Sequence, residues 1–124
     1  MDDSLGTHVI IDLWVKDGSI LEDIKEVRER IESVIKDKVT IVNFAYHDFG
    51  PNAGVTAIWL LAESHISVHC WSELNYIAID CFTCGKVNPE DFVDPLYNIL
   101  NGVQKNVITL GRGNSYNINS RKRD

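Results

Sequence analysis

Short apolar runs alternate along this chain with polar breaks, and in two longer stretches the apolar residues recur every three or four positions. Residues 8–15 are β-branched and apolar, with polar groups only at His8 and Asp12, which predicts a central strand. Lys16-Asp17-Gly18 reads as a turn. Ser19 and Glu22 have the spacing of a capping box, in which each side chain satisfies an orphan backbone amide. Behind them Ile20, Ile24, Val27, Ile31, Val34 and Ile35 form one stripe, predicting a helix over about 20–36. Its other face, from Glu22 to Lys38, alternates acid and base as solvated helix surfaces do.

Four more strands are expected next, over 39–46, 55–62, 65–71 and 76–82. The segment 47–54 holds Gly, Pro and Asn and is a loop long enough to suggest function. The run 55–62 is nearly all apolar, so burial on both faces is expected there. Asn88-Pro89 opens a second helix with stripe Phe92, Leu96, Ile99, Leu100 and Val103, which Asn101-Gly102 ends. Pro95 inside it implies a kink or a start at Asp94. A last strand is expected over 106–110, and a flexible polar tail over about 112–124. This order, with short links among the middle strands, predicts an α+β fold: a two-layer sandwich with an antiparallel sheet and two helices on one face.

Composition narrows the class without changing that picture. At 124 residues, 44% hydrophobic and 24% charged, the chain reads as a single globular domain, 1–124. A net charge of −6 argues against nucleic acid as partner, because phosphate binding needs a basic face. No apolar run approaches a membrane span, and Met1-Asp2-Asp3 does not open a signal peptide. Three cysteines, an odd number, suit a reducing compartment, so a cytoplasmic location is expected.

The candidate chemistry is concentrated between Glu63 and Gly85, which hold Ser64, His65, His69, Cys70, Glu73, Cys81 and Cys84. A lone histidine is more often structural than catalytic, and Cys81-x-x-Cys84 alone is half a zinc site with no second pair to complete it. His65 and His69 have a spacing that converges on a helix but not on a strand, so no metal is expected. A Cys–His nucleophile pair stays open, since spatial neighbours need not be sequence neighbours.

The block Glu63-Ser64-His65-Ile66-Ser67-Val68-His69, followed by Trp71, Glu73 and then Asp80-x-Phe82-Thr83-Cys84-Gly85, closely resembles the small prokaryotic S-adenosylmethionine decarboxylases, which are pyruvoyl enzymes. The likeness is densest from His47 to Gly85. It implies a chain that cuts itself between Glu63 and Ser64, leaving a β chain of 1–63 and an α chain of 64–124. Ser64 would attack the Glu63 carbonyl, and its residue would become the pyruvoyl cofactor, which forms a Schiff base with the substrate amine. His69 matches the processing base, Thr56 the hydroxyl that assists the acyl shift, and Cys84 the proton donor in turnover. Phe49 matches the residue that stacks on adenine and Glu73 the one that holds the ribose. Cys70 and Cys81 match no such role and are expected to be packing residues.

The chemistry explains the cofactor. Loss of CO₂ from an amino acid leaves a carbanion that needs an electron sink, and the chain has no glycine-rich phosphate cradle for pyridoxal phosphate. Near neutrality a thiol is largely protonated, as a donor must be. The sequence departs from the family at Cys70 (commonly Thr), Ser72 (commonly Pro), Ala57 (commonly Gly) and a 51–54 loop one residue longer. These positions flank the pocket, which leaves arginine or ornithine as alternatives to S-adenosylmethionine, the implied substrate. A non-catalytic relative is the remaining reading, although Ser64 and His69 are both present. A homodimer of processed protomers, with sites shared across the interface, is implied as well.

Overall fold

The computed structural model describes residues 4–113. Six strands form one antiparallel sheet: β1 (Gly6–Val15), β2 (Ile41–Asp48), β3 (Val55–Leu61), β4 (Ser64–Trp71), β5 (Tyr76–Cys84) and β6 (Gly102–Arg112), in the order β2-β3-β4-β5-β1-β6. Helices α1 (Ile24–Ile35) and α2 (Val93–Ile99) complete the expected two-layer α+β sandwich. Together with the sheet they enclose a core containing Val9, Ile11, Leu13, Val27, Ile31, Trp59, Ile66, Ile79, Phe92 and Leu96. Each such aliphatic or aromatic side chain contributes about 1.5–3 kcal/mol on full burial.

Several boundaries differ from expectation, each for a local reason. The expected capping box does not start the first helix. Asp17 accepts the Ser19 N–H at 3.0 Å and makes a separate 3-10 turn over Gly18–Leu21. Asp23 then accepts the Lys25 N–H at 3.0 Å, so α1 begins at Ile24. Gly18 fixes the break: a Cβ there would lie 2.1 Å from the Ser72 carbonyl oxygen. Strand β2 starts at Ile41 rather than 39, because the Lys38 and Val39 amides still bond the Ile35 carbonyl. Helix α2 begins at Val93, which places Pro95 in its first turn, where a missing N–H removes no bond.

Val103, expected on the α2 stripe, instead lies on β6 and is exposed. That strand runs to Arg112 because it pairs with β1 from Gly6 to Val15, and polar Gln104, Lys105 and Asn106 concealed its length. Of the tail expected over about 112–124, residues 114–124 lie outside the described residues.

The largest correction concerns the sheet's second face. Strand β3 alternates: Val55, Ala57, Trp59 and Leu61 are buried, whereas Ile58 and Leu60 are 45% and 50% exposed. Both helices pack on the other side, so the apolar run 55–62 is not buried on both faces. Ile108, Leu110 and Trp71 extend this open apolar surface. Among the described residues no helix is long and apolar enough to cross a membrane.

Candidate active site

The predicted residues fall into two groups at opposite ends of β3 and β4. The first group surrounds the two-residue turn Ala62-Glu63. Strand β5 runs beside β4 with Thr83 opposite Ser64, which brings Cys84 alongside the turn. The Glu63 carbonyl oxygen accepts two hydrogen bonds from that residue, one from the Cys84 N–H at 3.1 Å and one from its thiol at 3.2 Å. Ser64 carries φ 152°, in a region that only glycine adopts without strain. The Glu63 carboxylate is turned away from Ser64 and accepts the Thr40 N–H at 3.0 Å. Buried Thr83 donates to the Val87 carbonyl at 2.8 Å and fixes the chain just after Cys84.

The second group lies at the far end, on the open face. Thr56 and His69 are cross-strand partners, and the Thr56 hydroxyl lies 3.1 Å from His69 Nδ1. Beside them Phe49, Ala53, Cys70, Trp71 and Glu73 line a cleft of about 260 Å³. Gly54 lets the 49–54 loop lie down on β4: its φ is 95°, and a Cβ there would lie 2.3 Å from the Cys70 carbonyl oxygen. The Phe49 N–H closes the loop on the Gly54 carbonyl at 3.1 Å, leaving the Phe49 ring exposed beside His47. Two other hollows, beside Lys38 and Lys86 and beside Glu22 and Pro51, contain none of the predicted residues.

Within one protomer the two groups do not meet. Ser64 and His69 are the first and sixth residues of β4, which at the usual strand rise places them about 16 Å apart. Cys84 and His69 both belong to the uncovered face, since the alternating burial of β4 and β5 turns their neighbours Val68, Cys70, Cys81 and Thr83 inward.

Strand geometry also disposes of the cysteine pair. Cys81 and Cys84 are three residues apart on β5, so they point to opposite faces and can share neither a disulfide nor a metal ion. Burial pushes the Cys70 and Cys81 thiols up to about 12, while Cys84 is exposed. Among the described residues no cluster of three metal-ligating side chains forms. The signal missed from sequence is Thr40, an ordinary residue before a strand whose backbone holds the Glu63 side chain.

The chain is thus an antiparallel α+β sandwich whose Glu63-Ser64 turn is held by Cys84. A family model described as S-adenosylmethionine decarboxylase matches residues 7–113. The S-adenosylmethionine decarboxylase proenzyme of Methanococcus aeolicus is 39% identical over 111 residues, covering 88% of this chain and 94% of that one. Proenzyme 2 of Bacillus anthracis is 37% identical over 112 residues, covering 89% and 90%. The crystal structure of the Aquifex aeolicus adenosylmethionine decarboxylase superposes with a TM-score of 0.80 at 31% identity, covering 90% of this chain and 92% of that one. This chain belongs to the S-adenosylmethionine decarboxylase family.

Proposed function

We propose that the chain is a self-processing, pyruvoyl-dependent decarboxylase of S-adenosylmethionine, whose product is the aminopropyl donor for spermidine. The observation that carries this reading is the Glu63 carbonyl held by two Cys84 donors beside a strained Ser64. Arginine and ornithine lose their support, since the relatives described above are named for adenosylmethionine.

That geometry supports the cut. The Ser64 hydroxyl attacks the Glu63 carbonyl carbon, and negative charge develops on the oxygen that the Cys84 N–H and thiol already face. The C–N bond breaks, the Ser64 nitrogen takes up the proton released by the hydroxyl, and the amide becomes an ester. A base then removes the Ser64 α-proton, the Cβ–O bond breaks, and Glu63 leaves as a carboxylate. Hydrolysis of the resulting enamine releases ammonia and leaves a ketone at residue 64.

The pyruvoyl group would supply the electron sink that decarboxylation requires. Once Glu63 has left, the Cys84 thiol is free to return a proton to the substrate's α-carbon. Phe49 stacks on the adenine and Glu73 takes the ribose hydroxyls, both in the cleft beside His69. A cation such as the sulfonium is held there by aromatic faces without a countercharge.

The base is His69, contributed across a homodimer. A two-fold axis lying between two face-to-face sheets and across the strands reverses strand direction. It therefore brings the Ser64 and Cys84 end of one protomer against the Thr56 and His69 end of the other. This arrangement also covers Ile58, Leu60, Ile108 and Leu110. Two polar pairs on that face, Tyr76 with Asp12 and His8 with Asp80, are already made, so burying them leaves no orphan there. For His69 to accept a proton at Nε2, Nδ1 must carry its own and donate to Thr56, which the 3.1 Å contact allows.

Intact mass of the purified protein tests the reading. Expected are two chains, 1–63 and 64–124, the second carrying a ketone that hydroxylamine traps, together with CO₂ release from S-adenosylmethionine but not from arginine or ornithine. A chain that stays whole and carries no ketone refutes it.

A further inference from the structure

We infer that the Glu63 side chain is a positioning residue for self-cleavage, tying the cleavage turn to the start of β2 and so holding Ser64 in the conformation from which the acyl shift begins. The inference rests on the self-processing reading above and assigns the carboxylate a task separate from that of the scissile carbonyl.

The turn itself creates the need. Leu61 and Ser64 are paired in register, so Ala62 and Glu63 form a two-residue hairpin loop. Two-residue loops that follow the strand twist have positive φ at their central residues, and neither Ala62 nor Glu63 does. The mismatch falls on Ser64, at φ 152°. A strained non-glycine residue persists only where its surroundings over-determine it.

Three backbone anchors supply that constraint. The Ala62 N–H donates to the Thr40 carbonyl at 2.9 Å, the Thr40 N–H to Glu63 Oε1 at 3.0 Å, and the Cys84 N–H to the Glu63 carbonyl at 3.1 Å. The first two run to the edge strand on one side and the third to β5 on the other, so the turn is gripped from both flanks. Strand β3 ends at Leu61, and the Glu63 carboxylate occupies the place of the next backbone rung for Thr40. An ionised acceptor makes this bond stronger than a neutral rung would be. Scission removes the Glu63–Ser64 peptide bond across which Ser64 φ is defined, so strain that the tether maintains is discharged only when the bond is cut.

Fresh proenzyme from cell-free synthesis, chased with and without hydroxylamine and followed by gel and intact mass, tests the tether. Hydroxylamine cleaves an ester, so it separates slow ester formation from slow elimination. Glu63→Ala is expected to cut at least about tenfold more slowly, with no recovery in hydroxylamine, the weight of one bond to a charged acceptor. Glu63→Gln keeps an acceptor oxygen without the charge, so it is expected to cut faster than Glu63→Ala but more slowly than the parent. Thr40→Pro removes the donor from the opposite side and should match Glu63→Ala, which guards against a variant that merely misfolds.

Normal cutting in Glu63→Ala or Thr40→Pro, recovery of Glu63→Ala in hydroxylamine, or a Glu63→Gln as slow as Glu63→Ala would each overturn the inference. A parent chain that never cuts would sink the self-processing reading instead, so the two failures are distinguishable.

Discussion

Mixing two dead variants tests the shared site directly. On the proposed mechanism Ser64→Ala lacks the nucleophile, and His69→Ala lacks the base that removes the Ser64 α-proton. Along β4 these two positions lie about 16 Å apart, far beyond hydrogen-bond reach, so a protomer cannot serve itself. In a mixed dimer one site combines Ser64 and Cys84 of the His69→Ala chain with Thr56 and His69 of the Ser64→Ala chain, and is whole. The other site lacks both groups. Random pairing at equal expression makes about half the dimers mixed, so about one quarter of all chains should be cut, with decarboxylation near a quarter of the parent's. Every cut chain should carry the His69→Ala substitution. Co-expression with two affinity tags, intact mass of the doubly selected dimer and CO₂ release make the measurement. Mixed dimers that are isolated but remain wholly uncut would refute the shared site, as would a His69→Ala homodimer that cuts at the parent rate.

The remaining predictions concern stability and reactivity. The Ser72 hydroxyl is buried without a hydrogen-bond partner among the described residues, so Ser72→Ala should stabilise by about 1 kcal/mol and raise Tm by a few degrees in a thermal melt; a lower Tm counts against it. Iodoacetamide on the native protein should modify Cys84 before Cys70 or Cys81, whose buried thiols are raised to about 12, and peptide mapping that finds either of those modified first would reverse the assignment. Burial, and then the hydrogen bond to Asp12, raise Tyr76 to about 12 in the folded chain, against about 10 for a free tyrosine. The folded state therefore binds that proton more tightly. Its stabilising contribution is complete below about pH 10 and is lost as pH rises towards 12, so Tyr76→Phe should flatten the alkaline fall in stability over that window.

The fold was legible in the sequence because hydrophobic period reports which side of an element is buried. The stripe Ile20, Ile24, Val27, Ile31, Val34 and Ile35 located α1, and the strand expected over 65–71 is β4, whose alternating burial turns Ile66, Val68 and Cys70 inward. Period failed where burial did not follow composition. The run 55–62 predicts burial on both faces because both sets of its residues are apolar, yet only one set meets the helices. In the proposed dimer the second apolar set is covered by another copy, which hydrophobic period within one chain does not report. Polar residues along β6 misled in the opposite direction, since an edge strand needs backbone pairing with β1 and little else.

The site shows a sharper limit of linear reading. Glu63, Ser64, His69 and Cys84 crowd a short stretch of sequence, and proximity along the chain suggests proximity in space. A strand inverts that inference, because extended backbone separates neighbours by more than any other regular structure. Ser64 and His69 lie five positions apart on one strand and so stand far apart along it, whereas Cys84, twenty positions from Ser64, returns on β5 to touch the Glu63 carbonyl. The motif thus encodes two half-sites and the strand length that keeps them apart. On the proposed mechanism one half holds the bond to be cut and the other the base that completes the cut, so formation of the cofactor depends on assembly. A protomer diluted to the point of dissociation should therefore stop at or before the ester.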